Sequence, residues 1–132
     1  MKAIPEERMY DRDHGWIEME DEFIGRCGIS EQHLLKLDIV EFVEFPDVDA
    51  EIKKGEDVAV LDSSIDYYRY RSPVSGRITE INHKLEGHPG LINSDPYGEG
   101  WLYKIDVKEP GEFDELMKED EYTAFLDSRG DI

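Results

Sequence analysis

Apolar and polar residues alternate with a period of two along most of this chain, which is the mark of half-buried β-strands. Residues 15–20 (Gly-Trp-Ile-Glu-Met-Glu) and 22–29 (Glu-Phe-Ile-Gly-Arg-Cys-Gly-Ile) form two such runs around Asp21, which predicts a hairpin with a tight turn. Residues 38–45 form the clearest strand, with Val40, Phe42 and Phe45 directed to a core and Glu41 and Glu44 to water, and Pro46-Asp47 ends it. Residues 58–61 lead to an exposed tip, and 67–72 and 73–82 return from it with a bend at Ser75-Gly76. Residues 101–107 alternate again, after turns at 88–90 and 94–100. The period changes in two places. Ser30 precedes a short helical segment over 30–35 as its N-cap, with His33 at the capping-box position. Phe113, Leu116, Met117, Tyr122, Phe125 and Leu126 fall at helical spacing, which predicts one or two helices over 112–127. The expected class is mainly β, with a short internal helix and a C-terminal helix. Two β-meanders flank the middle and suit a pseudo-symmetric sandwich.

With 132 residues the chain has the length of one domain, assigned to residues 10–132 behind an N-terminal arm at 1–9. Hydrophobic residues make up 39% of it, enough for a thin core. Charged residues make up 36%, and the formal net charge is −18. Such an excess of carboxylates repels phosphates. It speaks against nucleic acid and anionic membrane surfaces and permits docking on basic protein surfaces. Acidity of this degree also accompanies disorder, but seven Tyr, five Phe and two Trp spread along an alternating chain argue against it. The single Cys27 reads as a buried thiol on a strand, which fits the cytoplasm. Residues 1–8 lack an apolar signal core, and no run is long and apolar enough to span a bilayer.

Candidate chemistry concentrates in the middle of the chain. Residues 58–78 read as a hairpin whose tip offers Asp62, Ser63, Ser64, Ile65 and Asp66, and no lysine. An aromatic and cationic run follows: Tyr67, Tyr68, Arg69, Tyr70 and Arg71. Alternation puts Tyr68 and Tyr70 on one face and Tyr67, Arg69 and Arg71 on the other. Two readings stand side by side. One is ordinary strand propensity with arginine pairing nearby acids. The other is a protein-contact hot spot, which makes these five residues partner-binding candidates. Asp62, Ser63 and Ser64 have no adjacent base, so turn hydrogen bonds account for them. His14, His33, His83 and His88 are the only imidazoles; no cysteine pair or closed ligand set joins them, and no metal site is expected. Lys36, Lys53 and Lys54 read as solvated. No nucleophile elbow, phosphate loop or zinc motif is present, so no enzyme active site is expected.

Several pieces taken together resemble a known family: His14-Gly15-Trp16-Ile17, Gly28-Ile29-Ser30-Glu31, residues 38–46, Gly55-Glu56-Asp57, residues 72–78 (Ser-Pro-Val-Ser-Gly-Arg-Ile) and residues 91–102 (Leu-Ile-Asn-Ser-Asp-Pro-Tyr-Gly-Glu-Gly-Trp-Leu). The chain resembles, from about residue 10 to 126, the H proteins of the glycine cleavage system, lipoyl carriers of the biotinyl/lipoyl hammerhead superfamily. The last piece is the most specific, whereas the Pro-Val-Ser-Gly piece is common to biotinyl and lipoyl domains. The resemblance implies a lipoyl-domain-like barrel-sandwich hybrid. It also implies a carrier cycle, in which a lipoyl arm takes an aminomethyl group from a pyridoxal-phosphate decarboxylase (the P protein), presents it to the folate-dependent T protein and is reoxidised by the flavin L protein.

The family attaches the arm to a lysine in a Glu-Ser-Val-Lys-Ala type of tip. Aligned forward from Gly55 or backward from Pro73, that lysine falls on Ile65. Asp62 and Ser63 match the family's Glu and Ser in kind, while Asp66, Tyr67 and Tyr68 replace small residues. Leu37 stands where the family has a glycine, expected to serve a turn of positive φ. The resemblance therefore implies an H-like, non-lipoylated protein-binding module. Lipoate is expected for the family but its attachment lysine is absent. The partners would be glycine cleavage enzymes, lipoate-assembly enzymes or sulfur-transfer enzymes. The alternative is a genuine aminomethyl carrier, or a related lipoate or sulfur-transfer carrier, with attachment at Cys27, Ser63 or a distant lysine.

Overall fold

A computed structural model describes residues 4–130. Its strands form two antiparallel sheets. The larger runs β1 (Met9–Tyr10), β2 (Gly15–Met19), β3 (Ile24–Ile29), β9 (Tyr103–Val107), β8 (Gly76–Ile81), β5 (Glu51–Ile52); the smaller runs β4 (Val40–Glu44), β6 (Asp57–Ser63), β7 (Tyr67–Arg71). Helix α1 (Glu31–Leu37), the single turns α2 (Lys84–Gly87) and α3 (Leu91–Ser94), a 3₁₀ segment (Pro110–Glu115) and α4 (Glu119–Ser128) complete the described chain. None of its helices is long and apolar enough to cross a membrane.

Alternation places one set of side chains between the sheets. Ile17, Cys27, Ile29, Ile78, Tyr103 and Ile105 of the larger sheet share one core with Val43, Ala59, Leu61 and Tyr70 of the smaller. The other face of β1 and β2 carries Tyr10 and Trp16, which Tyr122 and Leu126 of α4 cover in a second cluster. The Tyr10 and Tyr122 rings stack at 4.5 Å, nearly parallel. Local signals fix the joints. Asp21 Oδ1 accepts the N–H groups of Phe23 and Ile24, both at 2.8 Å, and closes the β2–β3 turn. Ser30 Oγ accepts from the His33 N–H at 3.3 Å and caps α1.

Two expectations, Phe42 in the core and Met9 in the arm, are corrected, and two others gain detail. Register between β4 and β6 shifts after Val40, so that Phe42, not Glu41, faces Asp62. This bulge turns Phe42 out to 58% exposure and brings Val43 into the core instead. The left-handed residue after α1 is Asp38 (φ 73°), not Leu37, which is buried at the helix end. With ψ at −168° this is a backbone region that glycine enters far more readily than aspartate, so the turn after α1 carries local strain. Met9, assigned to an arm, is buried as the first residue of β1. The C-terminal region is helical as expected and holds two segments, 3₁₀ geometry before Leu116 and α-helix after Lys118.

Trp16 lies directly over Gly28. A Cβ at position 28 would stand 2.6 Å from the indole Cζ2. Gly28→Ala is therefore expected to lower stability by about 1–3 kcal/mol through overpacking. The measurement is the urea midpoint at unchanged slope; a midpoint equal to wild type would show that Trp16 gives way freely.

Candidate functional site

The β6–β7 hairpin projects its tip from the smaller sheet. β6 and β7 pair from Asp57↔Arg71 to Asp62↔Tyr67, and the Ser63 N–H donates to the Asp66 carbonyl at 2.8 Å. The turn is held by its own side chains. Ser63 Oγ donates to the Asp66 carbonyl at 3.0 Å and accepts the N–H groups of Ile65 (3.3 Å) and Asp66 (3.1 Å). Asp66 Oδ1 accepts from the Tyr67 N–H at 2.8 Å. Ile65 thus occupies the apex of a rigid four-residue turn, with 67% of its surface exposed. A hydroxyl engaged three ways in turn geometry serves as a structural brace, as the sequence suggested for Ser63.

The aromatic-cationic run divides by face. Tyr67, Arg69 and Arg71 are exposed, whereas Tyr70 is fully buried. Tyr70 meets Tyr103 edge-on at 5.8 Å, and its hydroxyl lies over Gly15, where a Cβ would approach it to 3.0 Å. It is a core residue, which removes it from the partner-binding candidates. Tyr68 is half-buried, and its hydroxyl donates to the Asp13 carbonyl. Its ring sits 4.4 Å from His33, His33 stacks on His14 at 4.5 Å, and His14 Nδ1 is 2.8 Å from the Tyr122 hydroxyl. The Tyr122 hydroxyl also bonds Ser30 Oγ at 2.7 Å. Hairpin, α1, the β1–β2 loop and α4 are thereby joined through one line of rings. Spacing along the sequence alone could not join His14 to Tyr68. Arg69 and Arg71 both turn to Asp57, at 3.8 and 3.2 Å. Such exposed pairs contribute about 0–1 kcal/mol.

Other groups lie away from the tip. The lysines nearest in sequence, Lys53 and Lys54, precede β6 at its far end. At about 3.3 Å per residue they stand on the order of 20 Å from Ile65. Cys27 is fully buried, and burial pushes its thiol well above the ordinary range. His83 pairs with Glu86 at 2.8 Å, and no group of three or more metal-ligating side chains occurs among the described residues.

This architecture has known counterparts. The sequence pattern of the glycine cleavage H-protein family matches residues 8–129. The chain belongs to that family. It is 40% identical over 117 residues to the glycine cleavage system H protein of Rhodospirillum rubrum, covering 89% of this chain and 93% of the relative. Against the H protein of Thermotoga maritima, identity is 40% over 121 residues, with 89% and 94% covered. The crystal structure of the H protein from Mycobacterium marinum superposes with a TM-score of 0.81 at 30% identity, covering 94% of this chain and 99% of that one. H proteins are lipoyl carriers without a catalytic site of their own, and they work with the glycine cleavage enzymes. As an H-family member this chain is a carrier-type protein rather than an enzyme, in a family that works through protein partners.

A cleft of about 560 Å³ near the foot of the hairpin is lined by Asp11, Asp13, Lys54 and Ser72, among others. Asp11 is its buried carboxyl. Burial raises its pKa to about 6, although Oδ1 accepts the N–H groups of Gly15 and Asp13, both at 2.9 Å. A carboxyl that keeps its proton longer when folded loses stability as pH rises from the unfolded value near 4 to the folded value, and the loss is complete above it. Asp11→Asn retains the acceptor but not the charge. Relative to wild type, the variant is expected to gain about 2 kcal/mol between pH 4.5 and 7.5. Urea denaturation at the two values measures this; parallel curves would show that Asp11 ionises in the fold as freely as in water.

Proposed function

We propose that this H-family chain is a non-lipoylated protein-binding module that keeps the carrier scaffold and has lost the attachment point for the arm. One observation carries the reading: the apex of an ordered hairpin is Ile65, a hydrocarbon, and the hairpin contains no primary amine. Amide formation with lipoate needs a nucleophilic nitrogen at the tip, so these residues do not fit the group. Lys53 and Lys54 are a strand length away and would launch an arm from the opposite end. The second reading, a carrier with unorthodox attachment, finds no support at Cys27 or Ser63. Cys27 is sealed in the core and Ser63 is committed to the turn. The module would act on glycine cleavage enzymes, lipoate-assembly enzymes or a sulfur-transfer system. The lone thiol suits a reducing cytoplasm.

The test is the intact mass of the protein purified from its native cell, followed by reconstitution with P, T and L proteins and labelled glycine. An unmodified mass and no aminomethyl loading are expected. A lipoyl adduct on any lysine, or glycine-dependent loading, would overturn the proposal.

A further inference from the structure

The outer face of the three-stranded sheet carries a row of side chains that the apex does not use. Register sets Phe42 opposite Asp62 on one side and Tyr67 opposite Asp62 on the other. Directly opposed residues of antiparallel strands share a face, with Cβ atoms about 4.5–5.5 Å apart. Phe42, Asp62 and Tyr67 therefore read across the sheet as aromatic, carboxylate, aromatic. Phe42 is 58% exposed and Tyr67 54%, with Asp62 half-buried between them. Among the described residues the Asp62 side chain has no hydrogen bond or ion pair, because both arginines of β7 turn to Asp57 instead. The row exists only because the bulge after Val40 turns Phe42 out.

The surroundings define what fits. Ile39 and Ile65, 57% and 67% exposed, extend the apolar surface toward the tip. Asp38, Glu41, Glu44 and Asp66, all exposed, neighbour these residues along the chain, and Arg69, which shares the face, is tied to Asp57 at 3.8 Å. A carboxylate flanked by two aromatic side chains matches a cation that can both ion-pair and stack, above all the planar guanidinium; within the chain, the Arg69 guanidinium already lies 5.8 Å from the Tyr67 ring centroid. We propose that this row is the docking point for an arginine or lysine on a basic partner protein, held on Asp62 between Phe42 and Tyr67, with the neighbouring acids complementing the partner's basic rim. The inference rests on the reading of the chain as a binding module and names the surface it uses. A second copy is a poor occupant, since each chain carries a net charge of −18.

The test is a ¹H–¹⁵N NMR titration of the full chain with an end-blocked pentapeptide, Gly-Leu-Arg-Leu-Gly, beside its glutamate counterpart. The arginine peptide is expected to shift the amides of Phe42, Asp62 and Tyr67, and the glutamate peptide to leave them in place. Asp62→Asn, a surface change that spares the fold, is expected to weaken binding about fivefold. Shifts spread evenly over all acidic faces, or unchanged affinity in Asp62→Asn, would overturn the proposal. Concentration-dependent shifts of the row without peptide would overturn it in favour of self-association. The two readings fail separately. A lipoyl adduct removes the non-lipoylated module whatever the titration shows, whereas an inert row on an unmodified chain removes only this surface.

Discussion

The side chains that the β6–β7 hairpin sends inward hold its register, and the placement of the tip depends on them. Ala59, Leu61 and Tyr70 are buried between the sheets, and Tyr68 is anchored by Asp13 and His33. A slip of one residue would expose Tyr70 and drive Arg69 or Arg71 toward the core, at the cost of burying a charge. The apex is therefore determined from below. Whatever residue follows Ser64 is displayed at the same point, and here it is Ile65.

Much of this was legible because the signals are local. The β2–β3 turn at Asp21, the Ser30 cap and the tip residues 62–66 each declare themselves within a few positions. Alternation also separated Tyr68 and Tyr70 from Tyr67, Arg69 and Arg71. What alternation could not supply was which face meets the core, so Tyr70 stood among contact candidates although it is a core residue. Phe42 was misplaced for a different reason: a bulge breaks the period of two, and Val-Glu-Phe-Val-Glu reads equally well in either phase. The line of rings from Tyr68 through His33 and His14 to Tyr122 joins residues up to 108 positions apart, and no local pattern encodes that.

Charge and edge protection act together on the smaller sheet. β7 is an edge strand, and edges invite pairing with other chains. Antiparallel self-pairing centred on Arg69 would set two arginines against each other, while Asp57 already balances Arg69 and Arg71 within the chain. The edge is thus blunted, and the exposed apolar surface is shifted to the outer face, where Phe42 and Tyr67 flank Asp62. Net charge and the paired arginines both oppose edge-to-edge pairing of two copies.

The central claim is that the scaffold is intact and the attachment amine is absent from its tip. Ile65→Lys, incubated with a lipoate ligase and lipoate beside the wild-type protein, tests this directly by intact mass. Attachment to the variant at position 65 and none to wild type is the result the account predicts. An adduct on wild type, or a folded variant that stays unmodified, would contradict it.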